Sequence, residues 1–256
     1  MSIFLTLLKK ELTEQMRSKK LLILAIVFLF VAVSSAILAK LLPQILSSNI
    51  MQGIEIKIPE PTYKDAIDQF VKNISQLALF VFVFVVAGSI ADEKNKRTLE
   101  ILFTKPVSRT SFVLAKFTSY FLSVSVLYAI SSLIFYFYAK ALFGQFDLIN
   151  FLIMAKAVLI YVLLIMSATI FGSSFSANSI IAAVFGFVSM IVFGTVIPLI
   201  HSIKDYGPYV LLSSYKEIAQ NGWSSNLTIP LVTAVTLIFI FIISTICIVK
   251  NQEVER

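Results

Sequence analysis

Six long apolar blocks constrain this chain more than any other feature of its sequence. Of its 256 residues, 58% are hydrophobic and only 14% are charged. A helix needs about 20 apolar residues to cross the hydrocarbon core of a bilayer. Only helices and closed barrels satisfy their backbone groups in lipid, and the alternating strands of a barrel are not seen. The sequence therefore predicts an all-α integral membrane protein, a single domain with six transmembrane helices, at residues 21–42, 74–91, 112–138, 151–171, 179–200 and 229–249.

The charged residues lie mostly between these blocks. The net charge is +7, which in a soluble protein would suggest nucleic acid, but membrane topology explains it better. With the amino terminus inside, more than half of the 21 Lys and Arg residues fall on the cytoplasmic side, as the positive-inside rule requires. We expect a multi-pass protein of the cell (plasma) membrane, with both termini cytoplasmic, lipid around it and no nucleic-acid partner. The first block is longer than the apolar core of a signal peptide, so we expect it to be retained.

Residues 1–20 have the pattern of an amphipathic helix. The polar side includes Lys9, Lys10, Glu11 and Glu14. Apolar positions three and four apart are typical of a helix that lies in the membrane interface. Two interpretations stay open, an anchor on the membrane surface and a lever that rests on a cytoplasmic partner. The residues of the predicted interfacial side are Phe4, Leu7, Leu8 and Leu12.

Two segments on the predicted outer side have helical features. Residues 63–73 place Tyr63, Ile67 and Phe70 at helical spacing, after a stretch that Pro59 and Pro61 favour as extended. Residues 209–220 follow a Gly-Pro turn and contain more apolar residues than solvent exposure requires. We expect the second segment to be a helix that caps the membrane domain at its outer surface.

The segment between the second and third blocks carries the strongest functional signal. A charged cluster begins at Asp92, an apolar stretch covers residues 98–104, and Pro106 follows. Because a residue before proline is pushed away from helical geometry, a short helix should end there. Ser108 is then positioned to cap the next helix through its hydroxyl. A short apolar helix held at the cytoplasmic face suits docking into a groove of another protein, although the same residues are also compatible with simple burial in the interface.

At this segment the sequence resembles the membrane subunits of ABC-2 type transporters. In that family the second and third spans are joined by a charged cluster, then Gly-Thr-Leu-Glu, a few leucines and Pro-Val or Pro-Leu-Ser-Arg. This chain departs from the pattern at Arg97, where the family usually has glycine. The resemblance extends over the whole chain. The matching residues, which the resemblance implies to be ATPase-coupling residues, are Glu93, Thr98, Leu99, Glu100, Ile101, Leu102, Pro106, Ser108 and Arg109.

The resemblance implies a permease subunit of an ATP-driven exporter. The short helix would be a coupling helix that docks into a separate ABC ATP-binding subunit. This chain has no G-x-x-x-x-G-K-[ST] loop, so we expect it to be no enzyme and to bind no cofactor, with ATP and Mg held by the partner. Two membrane subunits, as a homodimer or with a paralogous permease, and two ATPase subunits would form the complex. We expect no catalytic and no metal-binding residue.

The fifth block contains a stripe of small residues, Ala182, Gly186 and Gly194. Small residues four apart permit close approach of two membrane helices. The stripe is compatible with a dimer face and equally with packing inside one subunit.

Other functional classes fit less well. An intramembrane protease needs paired aspartates, a Ser and His dyad or zinc ligands, whereas His201 is the single histidine and no aspartate lies within a block. A secondary transporter would show interrupted spans in two related halves. The absence of mid-span acids favours a hydrophobic or amphipathic substrate. A permease-like subunit that transmits force to an extracytoplasmic accessory protein remains the alternative.

Overall fold

The apolar blocks form the long helices of the structure, a computed structural model. It describes residues 3–48, 60–104, 107–144 and 146–251, and side chains in the first range only to residue 42. Within these ranges the regular elements are all helical, and six stretches are long and apolar enough to cross a membrane. The predicted all-α membrane fold is confirmed. The six stretches are Lys20–Leu42, Tyr63–Asn95, Arg109–Phe143, Leu148–Ser173, Ser179–Leu199 and Ser225–Asn251.

The helices are numbered in chain order. Short 3₁₀ turns at Lys204–Tyr206 and Ser225–Leu227 connect some of them. The helices are α1 (Ile3–Arg17), α2 (Lys20–Ser48), α3 (Tyr63–Asn73), α4 (Leu79–Asn95), α5 (Thr98–Phe103), α6 (Arg109–Phe143), α7 (Leu148–Ser173), α8 (Ser179–Ile191), α9 (Ile197–Leu199), α10 (Tyr209–Ser213), α11 (Tyr215–Asn221) and α12 (Thr228–Asn251).

The second span is longer than the sequence predicted. Helix α3 continues into α4 through one widened π turn at Ile74–Ala78, so Tyr63–Asn95 forms a single helical unit. The reason is that α3 has a protein-facing side, with Ile67 and Phe70 buried, which extends the packing beyond the apolar block. The predicted helix at residues 63–73 is confirmed. Pro59, which was expected in extended chain before it, lies outside the described residues.

Aromatic side chains join three helices at the α11 end of the bundle. Phe70 of α3 stacks on Phe135 of α6 with ring centroids 4.3 Å apart, and Phe135 lies 5.8 Å from Phe151 of α7. All three rings are fully buried. Offset aromatic pairs of this kind add to the stabilisation that comes from burial alone, so α3 belongs to the core and is not a loosely attached loop.

The segment predicted as a cap forms two helices, and its outer position stays a prediction. The segment expected to be one helix breaks at Ser214, whose ψ of 11° departs from helical geometry, and this residue separates α10 from α11. Leu211 and Ile218 are completely buried where the pair packs on α7. The Tyr215 hydroxyl donates to Asp68 of α3. The cap is therefore attached to both the second and the fourth span.

The small residues of the fifth span pack inside the subunit. Ala182 is fully buried, and a Cβ on Gly186 would lie 2.5 Å from Thr169 Oγ1 and 2.6 Å from Val83 Cγ1. Gly194 is less constrained, since the atom nearest to a Cβ placed there would be the Tyr161 hydroxyl oxygen at 3.1 Å. Of the two interpretations of this stripe, the dimer face is wrong for Ala182 and Gly186, because the second and fourth spans of the same chain already occupy that side.

Replacing Gly186 by Ala should destabilise the protein by about 1–3 kcal/mol, because the added methyl group overfills a closed contact. Gly194→Ala is the control, since it adds the same methyl group to the same span without so severe a clash. The free energy of unfolding in mixed micelles would be compared for the two variants. Equal stability would contradict the internal packing of Gly186.

The orientation in the membrane is testable with single cysteines in a Cys247→Ser background. Glu217 is exposed on α11 and Glu100 is exposed on α5. We expect Glu217→Cys to react with an impermeant maleimide in intact cells and Glu100→Cys to react only after permeabilisation. The opposite labelling pattern would invert the predicted topology.

Candidate functional site

Helix α5 is a short helix between the second and third spans, as predicted. Arg97 precedes it in the left-handed conformation, with φ of 55°, a geometry that glycine adopts without the steric cost that other residues have. This explains why glycine suits the position, and the chain makes the same turn with an arginine. At the other end, Ser108 Oγ accepts from the Ser111 amide at 3.1 Å, so the predicted cap of α6 is confirmed. Pro106 lies outside the described residues.

The two sides of α5 face different surroundings. Leu99 is 8% exposed and packs against the bundle, with Leu102 half-buried beside it. In contrast, Ile101 is 65% exposed, and Thr98 and Glu100 are exposed with it. Of the predicted coupling residues, Thr98, Glu100 and Ile101 therefore form the accessible face of α5, whereas Leu99 attaches the helix to the rest of the molecule.

Glu93, predicted as a coupling residue, lies inside the protein. It is 5% exposed, and its Oε1 atom accepts from Lys116 Nζ at 2.9 Å and from Lys10 Nζ at 2.5 Å. Lys116 Nζ also lies 2.6 Å from Glu11 Oε2. Glu14 completes this group through Lys10, at 3.2 Å. We call these five residues the α1 ion cluster, since three of them belong to that helix.

The α1 ion cluster changes the interpretation of the amino-terminal helix. Glu11 was placed on its solvent-facing polar side, and this is wrong, because Glu11 is 2% exposed. The helix packs mainly on α6 through Leu7, Glu11 and Gln15, and Lys116 of α6 supplies the opposite charge that makes burial of Glu11 tolerable. Phe4, Leu8 and Leu12 are half-buried beside this contact. Their contact with the membrane interface stays a prediction.

The contact between α1 and α6 continues as a polar network. Gln15 Nε2 donates to Ser119 Oγ at 3.0 Å, and Ser123 Oγ donates to Gln15 Oε1 at 2.7 Å. The side-chain amide thus has a partner at each end. Because a buried polar group without a partner is costly, this pairing holds α1 in one register on α6.

The opposite charges in the cluster stabilise the charged forms of Lys10 and Glu14. Burial acts to lower the pKa of Lys10, but the Glu11 and Glu93 carboxylates outweigh it and raise the pKa well above its usual value. Burial acts to raise the pKa of Glu14, yet Lys116 and Lys10 hold it below its usual value. Glu11, Glu14 and Glu93 each offer an oxygen within 4.8 Å of the others. Two lysines already bridge these carboxylates, so we assign the cluster to structure and not to a metal ion.

Arg109 connects α5 to the last span. Its guanidinium lies over the ring of Phe103, 5.3 Å from the centroid, and donates to the carbonyls of Val249 at 3.0 Å and Lys250 at 2.7 Å. The carbonyls at the end of a helix lack partners and carry negative charge, which a cation stabilises. Arg109, which the resemblance implies to be a coupling residue, therefore caps α12 while it packs on α5.

The end of α4 is also tied to α7. Ser173 Oγ accepts from the amides of Ile90 at 3.0 Å and Ala91 at 2.9 Å, and it donates to the carbonyl of Ala87 at 2.7 Å. Lys94 Nζ donates to the carbonyl of Ser174 one residue further. These hydrogen bonds hold the last turns of α4 on α7, just before the segment that carries α5.

Sequence reasoning missed the partners of Glu93. The charge pattern of the sequence indicates only a cytoplasmic position for Lys116, and it indicates no role for Gln15. The available signal was spacing: Leu7, Glu11 and Gln15 lie four apart on one side of α1, and Ser119 and Ser123 follow Lys116 on α6 at helical spacing. Polar residues thus recur on one side of α1 and on one side of α6. Such a pair of polar sides predicts that the two helices are in contact.

Replacing Lys116 by Met should cost about 3–5 kcal/mol, because it leaves buried carboxylates short of a countercharge. Lys20→Met is the control, since Lys20 forms a more exposed pair with Asp92 at 3.2 Å and should cost less than about 1 kcal/mol. The free energy of unfolding in mixed micelles and the rate of tryptic cleavage after Lys19 would measure both. Adding Glu11→Gln to Lys116→Met should recover part of the loss. If Lys116→Met behaves like Lys20→Met, the cluster does not hold α1.

Comparison with known proteins agrees with the motif. The chain is similar to a protein of Bacillus subtilis (strain 168) that is named as the uncharacterized transmembrane protein YxlG. The two are 23% identical over 176 residues, which make up 68% of each protein. The family model described as ABC-2 family transporter protein matches residues 5–250, which include the whole of α5 and all of the spans except the last residue of the sixth. The chain therefore belongs to the ABC-2 family of transporter proteins.

Proposed function

We propose that this chain is the permease subunit of an ATP-driven exporter and that α5 docks on a separate ABC ATP-binding subunit. The observation that carries the proposal is the exposed face of α5, with Ile101 65% exposed at the predicted cytoplasmic end. An apolar side chain on a short helix suits insertion into a groove of a partner. ATP and Mg are bound by the partner subunit, and the permease contributes the conformational change.

The attachments of α5 support a mechanical role. Glu93 ties the start of the segment to α1 and α6 through Lys10 and Lys116, and Arg109 ties its end to the carboxyl end of α12. Phe103 of α5 also packs edge-on against Phe112 of α6, with centroids 5.7 Å apart. A push on α5 would therefore reach the first helix, the third span and the sixth span without passing through a flexible loop.

A hydrophobic or amphipathic substrate fits the described parts of the spans. The buried carboxylates identified above lie at the α5 end, and the middle of the spans has no Asp or Glu. An apolar cleft of about 390 Å³ opens at the other end, between the ends of the fifth and sixth spans, with Ile197, Pro208 and Leu237 among its walls. Such a lining favours an acyl chain or a similar apolar group over an ion.

The complex that we propose contains two permease subunits, either two copies of this chain or one copy with a paralogue, and two ATP-binding subunits. The small residues Ala182 and Gly186 are occupied within one subunit, so the contact between permeases uses another surface. Export across the plasma membrane, with both termini of the permease in the cytoplasm, is part of the same proposal.

Replacing Ile101 by Asp should reduce association with the ATP-binding subunit at least tenfold, because it places a charge in the apolar contact. Co-purification of the two subunits and ATP hydrolysis in nanodiscs would measure the effect. Ile149→Asp is a matched control, since Ile149 is 69% exposed on the first turn of α7 at the opposite end. Ile101→Leu keeps the side chain apolar and should bind like the parent chain. Leu99 is unsuitable for this test, because a charge at that buried position would disturb the fold itself.

The proposal fails if Ile101→Asp binds the ATP-binding subunit as well as Ile149→Asp does, provided that both variants elute as monodisperse species. Loss of binding in both variants would indicate general damage from surface charge, and docking through α5 would then be rejected as well.

A further inference from the structure

A charged cleft lies beside the α1 ion cluster, between α1 and the turn that joins α4 to α5. Its volume is about 630 Å³. Lys9 and Arg17 of α1 form one wall, and Lys96 of the turn lies on the other side. Three cationic side chains thus face one cavity from two separate elements.

These three cations differ from the lysines of the ion cluster. Lys9, Arg17 and Lys96 are exposed, and within the described part of the chain none of them forms an ion pair. Lys10 also contributes to the wall, but it is shared by three carboxylates, and Glu14 is neutralised by Lys10 at 3.2 Å. The net charge that faces the cavity is therefore positive, and it is available to a ligand.

The positions of the cations place the cleft at the level of the lipid headgroups. Arg17 ends α1 just before the first span begins at Lys20, and Lys96 directly follows Asn95, where the second span ends. Lys9 lies two turns before Arg17 on the same side of α1, about 12 Å along the helix. Basic pockets at the ends of spans on the cytoplasmic side are typical sites for anionic headgroups.

We propose that this cleft binds the phosphate group of an anionic phospholipid of the leaflet on the α5 side. Lys9 and Arg17 contact it from α1, and Lys96 contacts it from the turn before α5. A lipid bound there bridges α1 and the turn that joins α4 to α5, next to the α1 ion cluster. An acidic segment of a protein partner is the less favoured occupant, because two of the cations lie at the very ends of spans, where headgroups surround them.

This inference concerns the permease alone and rests on the proposed function only for the cytoplasmic side on which α1 and α5 lie. The purified chain in neutral detergent would be titrated with phosphatidylglycerol, phosphatidylcholine, inorganic phosphate and a Glu-rich peptide, with bound ligand counted by native mass spectrometry. The test variant is Lys9→Gln, Arg17→Gln and Lys96→Gln combined. The control combines Lys40→Gln, Lys140→Gln and Lys156→Gln, which removes the same charge from three exposed lysines at the opposite ends of spans.

We expect phosphatidylglycerol to bind the test variant at least tenfold more weakly than the parent chain. Its affinity for the control variant should equal that for the parent chain, and phosphatidylcholine should bind all three proteins weakly. Lys96→Gln alone should weaken binding about threefold, which keeps the test informative if the triple variant folds poorly. Equal losses in test and control variants would show general charge attraction and overturn the site. Equal affinity for inorganic phosphate would make it a small-anion site, and tighter binding of the Glu-rich peptide would make it a protein-docking surface; either result would reject the lipid.

Discussion

The packing of the α5 end depends on one buried ammonium group. Lys116 lies on a membrane span, where an isolated charge is strongly unfavourable, and it is stabilised only because Glu11 and Glu93 approach from two other helices. Lys10 contacts both carboxylates as well, but its side chain is 42% exposed, whereas Lys116 is buried with them. The three charges therefore bring the amino-terminal helix, the second span and the third span together at one point.

The residues of the short motif around α5 have two different roles in the structure. In a sequence, Glu93, Thr98, Leu99, Glu100, Ile101 and Arg109 form one continuous signal. In the structure, Glu93, Leu99 and Arg109 face inward and hold the segment, while Thr98, Glu100 and Ile101 face outward. A motif that combines both sets does not show which residues touch a partner, because both are needed for the segment to work.

The fold was predictable to a large extent because hydrophobicity acts on long blocks. Each span, the helix at residues 63–73, the short α5 helix and the Ser108 cap followed from local patterns. The inward orientation of Glu11 did not, since the pattern of α1 alone favours Lys9, Lys10 and Glu11 as a solvated side. The charge of Lys116, more than one hundred residues away in the chain, compensates the buried Glu11 carboxylate together with that of Lys10. The packing of Ala182 and Gly186 likewise depends on neighbours that spacing does not reveal.

The continuous helical unit at Tyr63–Asn95 has a consequence for communication between the two sides of the membrane. Its 33 residues correspond to a rod about 50 Å long, longer than the hydrocarbon core is thick. One end carries Glu93 and the turn into α5, and the other end carries Asp68, which accepts from Tyr215 of the cap. If the unit tilts as one body, a displacement at the α5 end also displaces Asp68 and the cap that is bound to it.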